Sequence, residues 1–251
     1  MPRFNDDDLE THKLATGNYG FSAAKIDSLG ATEYTLVSIV TDASSSVQAF
    51  EKDMETCLKE IVKACKYSPR ADNLLLRLSQ FSSSVKELHG FKTLESCNLD
   101  DYSDILEVYG MTALRDGTHN GAAALAAYGK KLMENDYSVN AILFVITDGE
   151  ENHSTLGVAE TKKALADGLK QECLESLVTI LIGVNIQDPT LSQKLKDYKD
   201  EIGFNQYIEL GNAKASSLAK LAEFVSKSIS SQSQALGTGG QSKAIQYGLT
   251  I

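Results

Sequence analysis

A chain of 251 residues, 42% of them hydrophobic and 23% charged, has the make-up of one soluble α/β domain with a substantial core, or of two small ones. Its formal charge of −10, from 24 basic and 34 acidic residues, argues against nonspecific nucleic-acid binding and against docking on anionic membranes. Cys57, Cys65, Cys97 and Cys173 form no C-x-x-C pair and fit buried thiols in a reducing compartment. The first residues, Met1 to Phe4 followed by Asp6-Asp7-Asp8, lack the apolar core of a signal peptide, and no apolar run is long enough to span a bilayer. A cytoplasmic location, or one within an intracellularly assembled particle, is therefore expected.

Residues 1–30 show no strong periodicity and read as an N-terminal extension. From Tyr34 a regular alternation begins. Strands are expected over Tyr34–Thr41, Asn73–Phe81, Val85–Phe91, Val139–Thr147, Leu177–Gly183 and Asn205–Leu210. Helices are expected over Ser46–Cys65, Ala113–Asn135, Leu156–Leu174, Leu191–Glu201 and Ala215–Ile229. The short link Ser82-Ser83-Ser84 makes the second and third strands an antiparallel hairpin. The rest follows strand–helix–strand order. The expected fold is thus α/β: a doubly wound, mostly parallel sheet of six strands with one antiparallel edge strand and helices on both faces, over residues 31–230. Beyond Ile229 the chain turns rich in Ser, Gln and Gly, and Lys243 is the only charge in 231–251, as in a flexible tail. Residues 244–251 alternate weakly like a strand, which suits addition to a sheet edge on another subunit or partner.

Chemistry concentrates where the first apolar run stops. Leu36-Val37-Ser38-Ile39-Val40 reads as a buried strand, and Asp42-Ala43-Ser44-Ser45-Ser46 follows at once. A helical pattern of apolar residues then runs through Val47, Phe50, Met54, Leu58, Ile61 and Cys65. The cluster therefore sits at the carboxyl end of a strand, where open α/β sheets hold their ligands. Two further segments supply oxygen donors at equivalent places. Thr112 precedes the long Ala-rich helix in Gly110-Met111-Thr112-Ala113-Leu114, and Asp148 follows an apolar strand in Thr147-Asp148-Gly149. Oxygen-only donors suit a hard divalent cation such as Mg²⁺. Each part also has a plainer use: Ser44, Ser46 and Thr112 as helix caps, Asp148-Gly149 as a turn.

Asp-x-Ser-x-Ser, a Thr about 70 residues later, and Thr-Asp-Gly after a buried strand resemble the von Willebrand factor A family in residue order and context. Asp42, Ser44, Ser46, Thr112 and Asp148 match that family's metal-ion-dependent adhesion site position by position. The resemblance covers roughly residues 31–230. It implies that the Ser44 and Ser46 hydroxyls bind Mg²⁺ directly, with Mn²⁺ or Ca²⁺ as alternatives, and that Thr112 does so directly or through water. Asp42 and Asp148 are implied to act largely from behind, and an Asp or Glu carboxylate of a partner protein to fill the open metal position. The expectation is a metal-dependent protein-binding module and no enzyme.

Two other functions compete. One is a structural subunit of a larger phage or bacterial assembly, joined through its termini to copies of itself or to other proteins. The other is a Mg²⁺-dependent phosphohydrolase with Asp42 as nucleophile, but Ser44 stands where such enzymes need a second carboxylate, and no cationic phosphate clamp is evident. Glu150, Glu151, Asn152 and His153 either rim the metal face or form a solvated loop. The histidines His12, His89, His119 and His153 show no metal-ligand spacing.

Overall fold

Near-continuous apolar runs need cover on both faces, and the chain supplies it. The computed structural model describes residues 8–14, 20–170, 173–211 and 214–238. In chain order the elements are β1 (Leu9–Lys13), β2 (Gly20–Ala24), β3 (Glu33–Asp42), α1 (Glu51–Lys66), β4 (Leu74–Phe81), β5 (Val85–Thr93) and α2 (Leu114–Met133). They continue as β6 (Ser138–Thr147), α3 (Val158–Lys170), β7 (Ser176–Val184), α4 (Pro189–Ile202), β8 (Gln206–Leu210) and α5 (Ala215–Thr238). The strand order is β1-β2-β5-β4-β3-β6-β7-β8. β4, β3, β6, β7 and β8 run parallel, and β5 returns antiparallel to β4 across the three-serine link.

Side chains alternate along the central strands. Val37 and Ile39 of β3, with Ile142, Phe144 and Ile146 of β6, join the core formed with α1 and α5. Leu36 and Val40, with Ala141, Leu143 and Val145, join the core formed with α2, α3 and α4. α2 lies unusually close to the sheet. A Cβ on Gly117 would stand 2.7 Å from Phe81, and one on Gly121 would stand 2.7 Å from both Leu143 and Val40. The glycines thus remove the atoms that would hold the helix off, and Thr112, just ahead of α2, is brought down onto the strand ends.

Among the described residues the sheet has eight strands, where six were expected. The extra pair comes from the segment read as an N-terminal extension. β2 pairs parallel with β5 at Ala23 and Phe91, and β1 pairs antiparallel with β2. Both are five residues long, and Leu9-Glu10-Thr11-His12-Lys13 has almost no apolar alternation, so periodicity has little to register. What anchors them is a few contacts: Phe21 meets Phe91 and Tyr128 edge-on, and the Tyr128 hydroxyl donates to the Ala24 carbonyl at 2.7 Å. β5 is consequently covered and is not the edge strand.

Two helix limits differ most. A tight 3-10 turn, Ser45–Ala49, comes before α1, which starts at Glu51 and not at Ser46. α5 continues to Thr238, into the segment read as a flexible tail. Residues 244–251, read as a weak strand, lie outside the described residues. Among the described residues no helix is long and apolar enough to cross a membrane. All four cysteines are buried thiols outside any disulfide, and burial pushes the Cys57 and Cys65 thiols up to about 12, which leaves them protonated and inert.

One buried charge ties the added hairpin to the sheet. Arg77 of β4 is fully buried; its Nε donates to Glu87 Oε2 at 2.6 Å and its Nη2 to Asn120 Oδ1 at 2.8 Å. Glu87 in turn accepts the Ser22 backbone N–H at 2.8 Å and the Ser22 hydroxyl. Glu87→Ala strands the guanidinium and is expected to cost about 3 kcal/mol, read as a lower urea midpoint. A midpoint equal to that of the wild type would contradict this account of the pair.

Candidate metal centre

Asp42 is the last residue of β3, and Asp148 follows Thr147, the last residue of β6. These strands are parallel neighbours with Thr41 opposite Ile146, so their carboxyl ends bring the two aspartates side by side. Asp42 Oδ1 accepts the Ser44 backbone N–H at 2.8 Å, and Oδ2 accepts the Thr147 hydroxyl at 2.7 Å. Ser44 Oγ lies 3.0 Å from Ser46 Oγ, which donates to Asp148 Oδ1 at 3.0 Å. The position a Cβ on Gly149 would take is 3.9 Å from Ser46 Oγ and 4.0 Å from Thr112 Oγ1. Hydrogen bonds thus link Asp42, Ser44, Ser46 and Asp148, and Thr112 lies on the other side of Gly149 from Ser46. Asp42 lies at the bottom, fully buried, and Ser46 is open to solvent.

The plainer use of the hydroxyls is not what the structure adopts. Neither Ser44, ahead of the 3-10 turn, nor Phe50 and Ala113, ahead of α1 and α2, makes a side-chain capping bond. The serine hydroxyls turn instead toward each other and toward Asp148.

Electrostatics supply the complementary observation. Burial, and then the charge of Asp148, push the Asp42 carboxyl up to about 7, and burial raises Asp148 as well. Among the described residues neither carboxylate has a cationic partner. Two buried acids without a counter-ion, beneath three hydroxyls, fit a divalent cation that favours hard oxygen donors. Among the described residues no group of three or more His, Cys, Asp or Glu side chains could hold a metal ion, so an ion at this point would rest on hydroxyls as well as on the two carboxylates. His89 is a core histidine: Gly90 O and the Tyr102 hydroxyl flank its ring, and burial lowers it to about 3.

The segment after Asp148 is a built support. Asn152 Oδ1 accepts the Thr112 N–H at 2.8 Å, and the N–H groups of Asn152 and His153 donate back to the Thr112 carbonyl at 3.0 and 3.2 Å. Glu151 accepts the Arg115, His153 and Ser154 N–H groups at 2.8, 2.9 and 2.7 Å. Asp116, buried in the first turn of α2, accepts from Thr155 N–H, Thr155 Oγ1 and Leu156 N–H at 3.1, 3.0 and 2.9 Å. Sequence reasoning missed Thr147 and Asp116, and saw Glu151 and Asn152 only as a rim or a solvated loop. Their signal was residue type alone, since short acids, amides and hydroxyls bond readily to nearby backbone. Glu150 is exposed and paired with Lys194 at 2.7 Å.

A doubly wound α/β domain with hydroxyls and carboxylates gathered at its strand ends defines the class. The family follows from the sequence: the von Willebrand factor type A domain model matches residues 37–205, and the chain belongs to that family. No curated protein matches the chain. Among solved structures, a variant of the PilB minor pilin from Streptococcus sanguinis is similar with a TM-score of 0.60 at 15% identity, over 86% of this chain and 66% of that one. The pilus adhesin SpaC from Lactobacillus rhamnosus GG gives 0.58 at 13%, over 88% and 35%. Proximal thread matrix protein 1 from the mussel byssus, solved with a zinc-occupied MIDAS motif, gives 0.51 at 17%, over 78% and 46%. This chain thus spans at most 66% of the length of these solved chains, and the likeness is one of fold.

If Asp116 holds the supporting segment, Asp116→Ala should speed hydrogen exchange at the Thr155 and Leu156 amides by about tenfold or more, the loss of a charged hydrogen bond. Amides of β7 should exchange as in the wild type. Unchanged exchange at Thr155 and Leu156 would contradict the assignment.

Proposed function

We propose that this domain is a protein-binding module that works through a divalent cation, Mg²⁺ or in its place Mn²⁺ or Ca²⁺, held by Asp42, Ser44, Ser46, Thr112 and Asp148. The observation that carries this is the uncapped chain of hydroxyls over two buried, unneutralised carboxylates. Ser44 and Ser46 present their hydroxyl oxygens to the ion, and Thr112 does so directly or through a water. Asp42 and Asp148 orient those hydroxyls from behind and balance charge without saturating the site. When bound, the ion supplies an electrophilic centre with an open position that an Asp or Glu carboxylate of a partner protein fills.

The same features weigh against catalysis. Both Asp42 oxygens are already engaged, by Ser44 N–H and the Thr147 hydroxyl, so the carboxylate is held as an orienting group and is not aimed at a substrate. Ser44 replaces the second acid that a phosphohydrolase would use. A partner that is another subunit fits the same site, and the fold likeness to a minor pilin and a thread matrix protein suits such a role. Inert buried thiols suit a reducing compartment, whereas pilin and adhesin neighbours suit a surface; the proposal concerns the site and holds in either.

Calorimetric titration of the full chain with Mg²⁺ and Mn²⁺ tests the metal part. One ion should bind, and Asp148→Ala should weaken it by about 10–100-fold. For the partner, immobilised wild-type protein should retain proteins from its source cells in Mg²⁺ and release them in EDTA, and Asp148→Ala should retain none of these. Equal ion affinity in the two proteins, or capture indifferent to EDTA, would refute the proposal.

A further inference from the structure

Large apolar side chains stand exposed at four described positions, and two of them share the metal face. Tyr67 ends α1 and Leu169 lies on α3, each alone. Tyr109 and Met111, 47% and 48% exposed, flank Gly110 on the loop that delivers Thr112. Slack in the loop does not account for this exposure. Tyr109 N–H donates to Ala43 O at 2.9 Å, Ser45 N–H to Gly110 O at 3.0 Å, and Met111 N–H to Ser83 Oγ at 3.0 Å. Gly110 itself has φ +76°, and a Cβ there would stand 2.5 Å from Ser83 Oγ, so the turn needs glycine. The backbone is pinned on both sides while the two apolar side chains face water.

The charges around this face are largely satisfied by each other. Glu150 pairs with Lys194, Glu151 with Arg115, and Glu107 with Lys86. The whole chain carries −10, so a run of acids approaching it is repelled. What remains attractive is one cation site and an apolar pair beside it. A rigid aromatic ring next to an adaptable thioether is a good anchor for a partner's apolar side chain.

We propose that Tyr109 and Met111 form the apolar rim of the metal face, and that the partner is a protein loop bearing a single Asp or Glu flanked by apolar side chains. This rests on the metal-dependent binding proposed above. One carboxylate reaches the ion, and its neighbours bury against the rim. A second or third carboxylate gains nothing there.

Three synthetic peptides test it by NMR titration of the full chain in Mg²⁺: Gly-Leu-Asp-Leu-Gly, Gly-Gly-Asp-Gly-Gly and Gly-Asp-Asp-Asp-Gly. The Leu-flanked peptide should bind about tenfold more tightly than the Gly-flanked one, as expected for burying part of an apolar side chain. The tri-Asp peptide should bind no more tightly than the Gly-flanked one, and EDTA should abolish all binding. Tyr109→Ser combined with Met111→Ser should erase the Leu preference, and Tyr67→Ser should keep it. Mg²⁺-dependent binding with no Leu preference in the wild type, or a preference that survives the double substitution, overturns the rim and leaves the metal reading standing. Absence of any Mg²⁺-dependent binding overturns both.

Discussion

Two aspartates, Asp42 and Asp148, are buried side by side at the ends of adjacent parallel strands with no cationic side chain beside them among the described residues. That arrangement is costly, because a buried charge is tolerated only when paired or neutralised. In the structure the cost shows as an Asp42 carboxyl pushed up to about 7. The surroundings ease it only in part. Thr147 and the Ser44 N–H donate to Asp42, and the exposed Ser46 donates to Asp148, beside the buried Ser44 and Thr112 side chains. A divalent cation bound there, as proposed, would offset the imbalance.

The rest of the fold holds that point in place. β3 and β6 are pinned in register by apolar side chains on both faces, so their ends cannot slide relative to one another. Gly117 and Gly121 let α2 settle onto the sheet and carry Thr112 with it. Asn152 clamps Thr112 from the far side, while Glu151 and Asp116 fix the segment that contains Asn152. Binding residues on loops gain precision only when such bonds lock them to rigid elements.

Much of this was legible in the sequence, for a physical reason. Fully covered strands are apolar throughout, so Asp42 and Asp148 announce where β3 and β6 end. Hydroxyls and acids at those ends can be paired by order alone. The short strands β1 and β2 were not legible, because their docking depends on Phe21, Tyr128 and the Glu87–Ser22 bonds, contacts between distant parts of the chain. The support from Thr147, Asp116, Glu151 and Asn152 was equally hidden. Bonds from side chain to backbone leave no period in a sequence, and they become visible only when loops from two strand ends are seen against each other. α5 ran past Ile229 because Ser and Gln are tolerated in a helix, whereas composition alone reads such a stretch as a tail.

The proposed function depends on a cation sitting among five named residues. The most direct measurement is diffraction from crystals of the full chain grown with Mn²⁺, with data collected where manganese scatters anomalously. The account predicts one strong anomalous peak in contact with the Ser44 and Ser46 hydroxyl oxygens, with Asp42 and Asp148 beneath it. A peak elsewhere on the protein, or none at this point while Mn²⁺ is in excess, would contradict it.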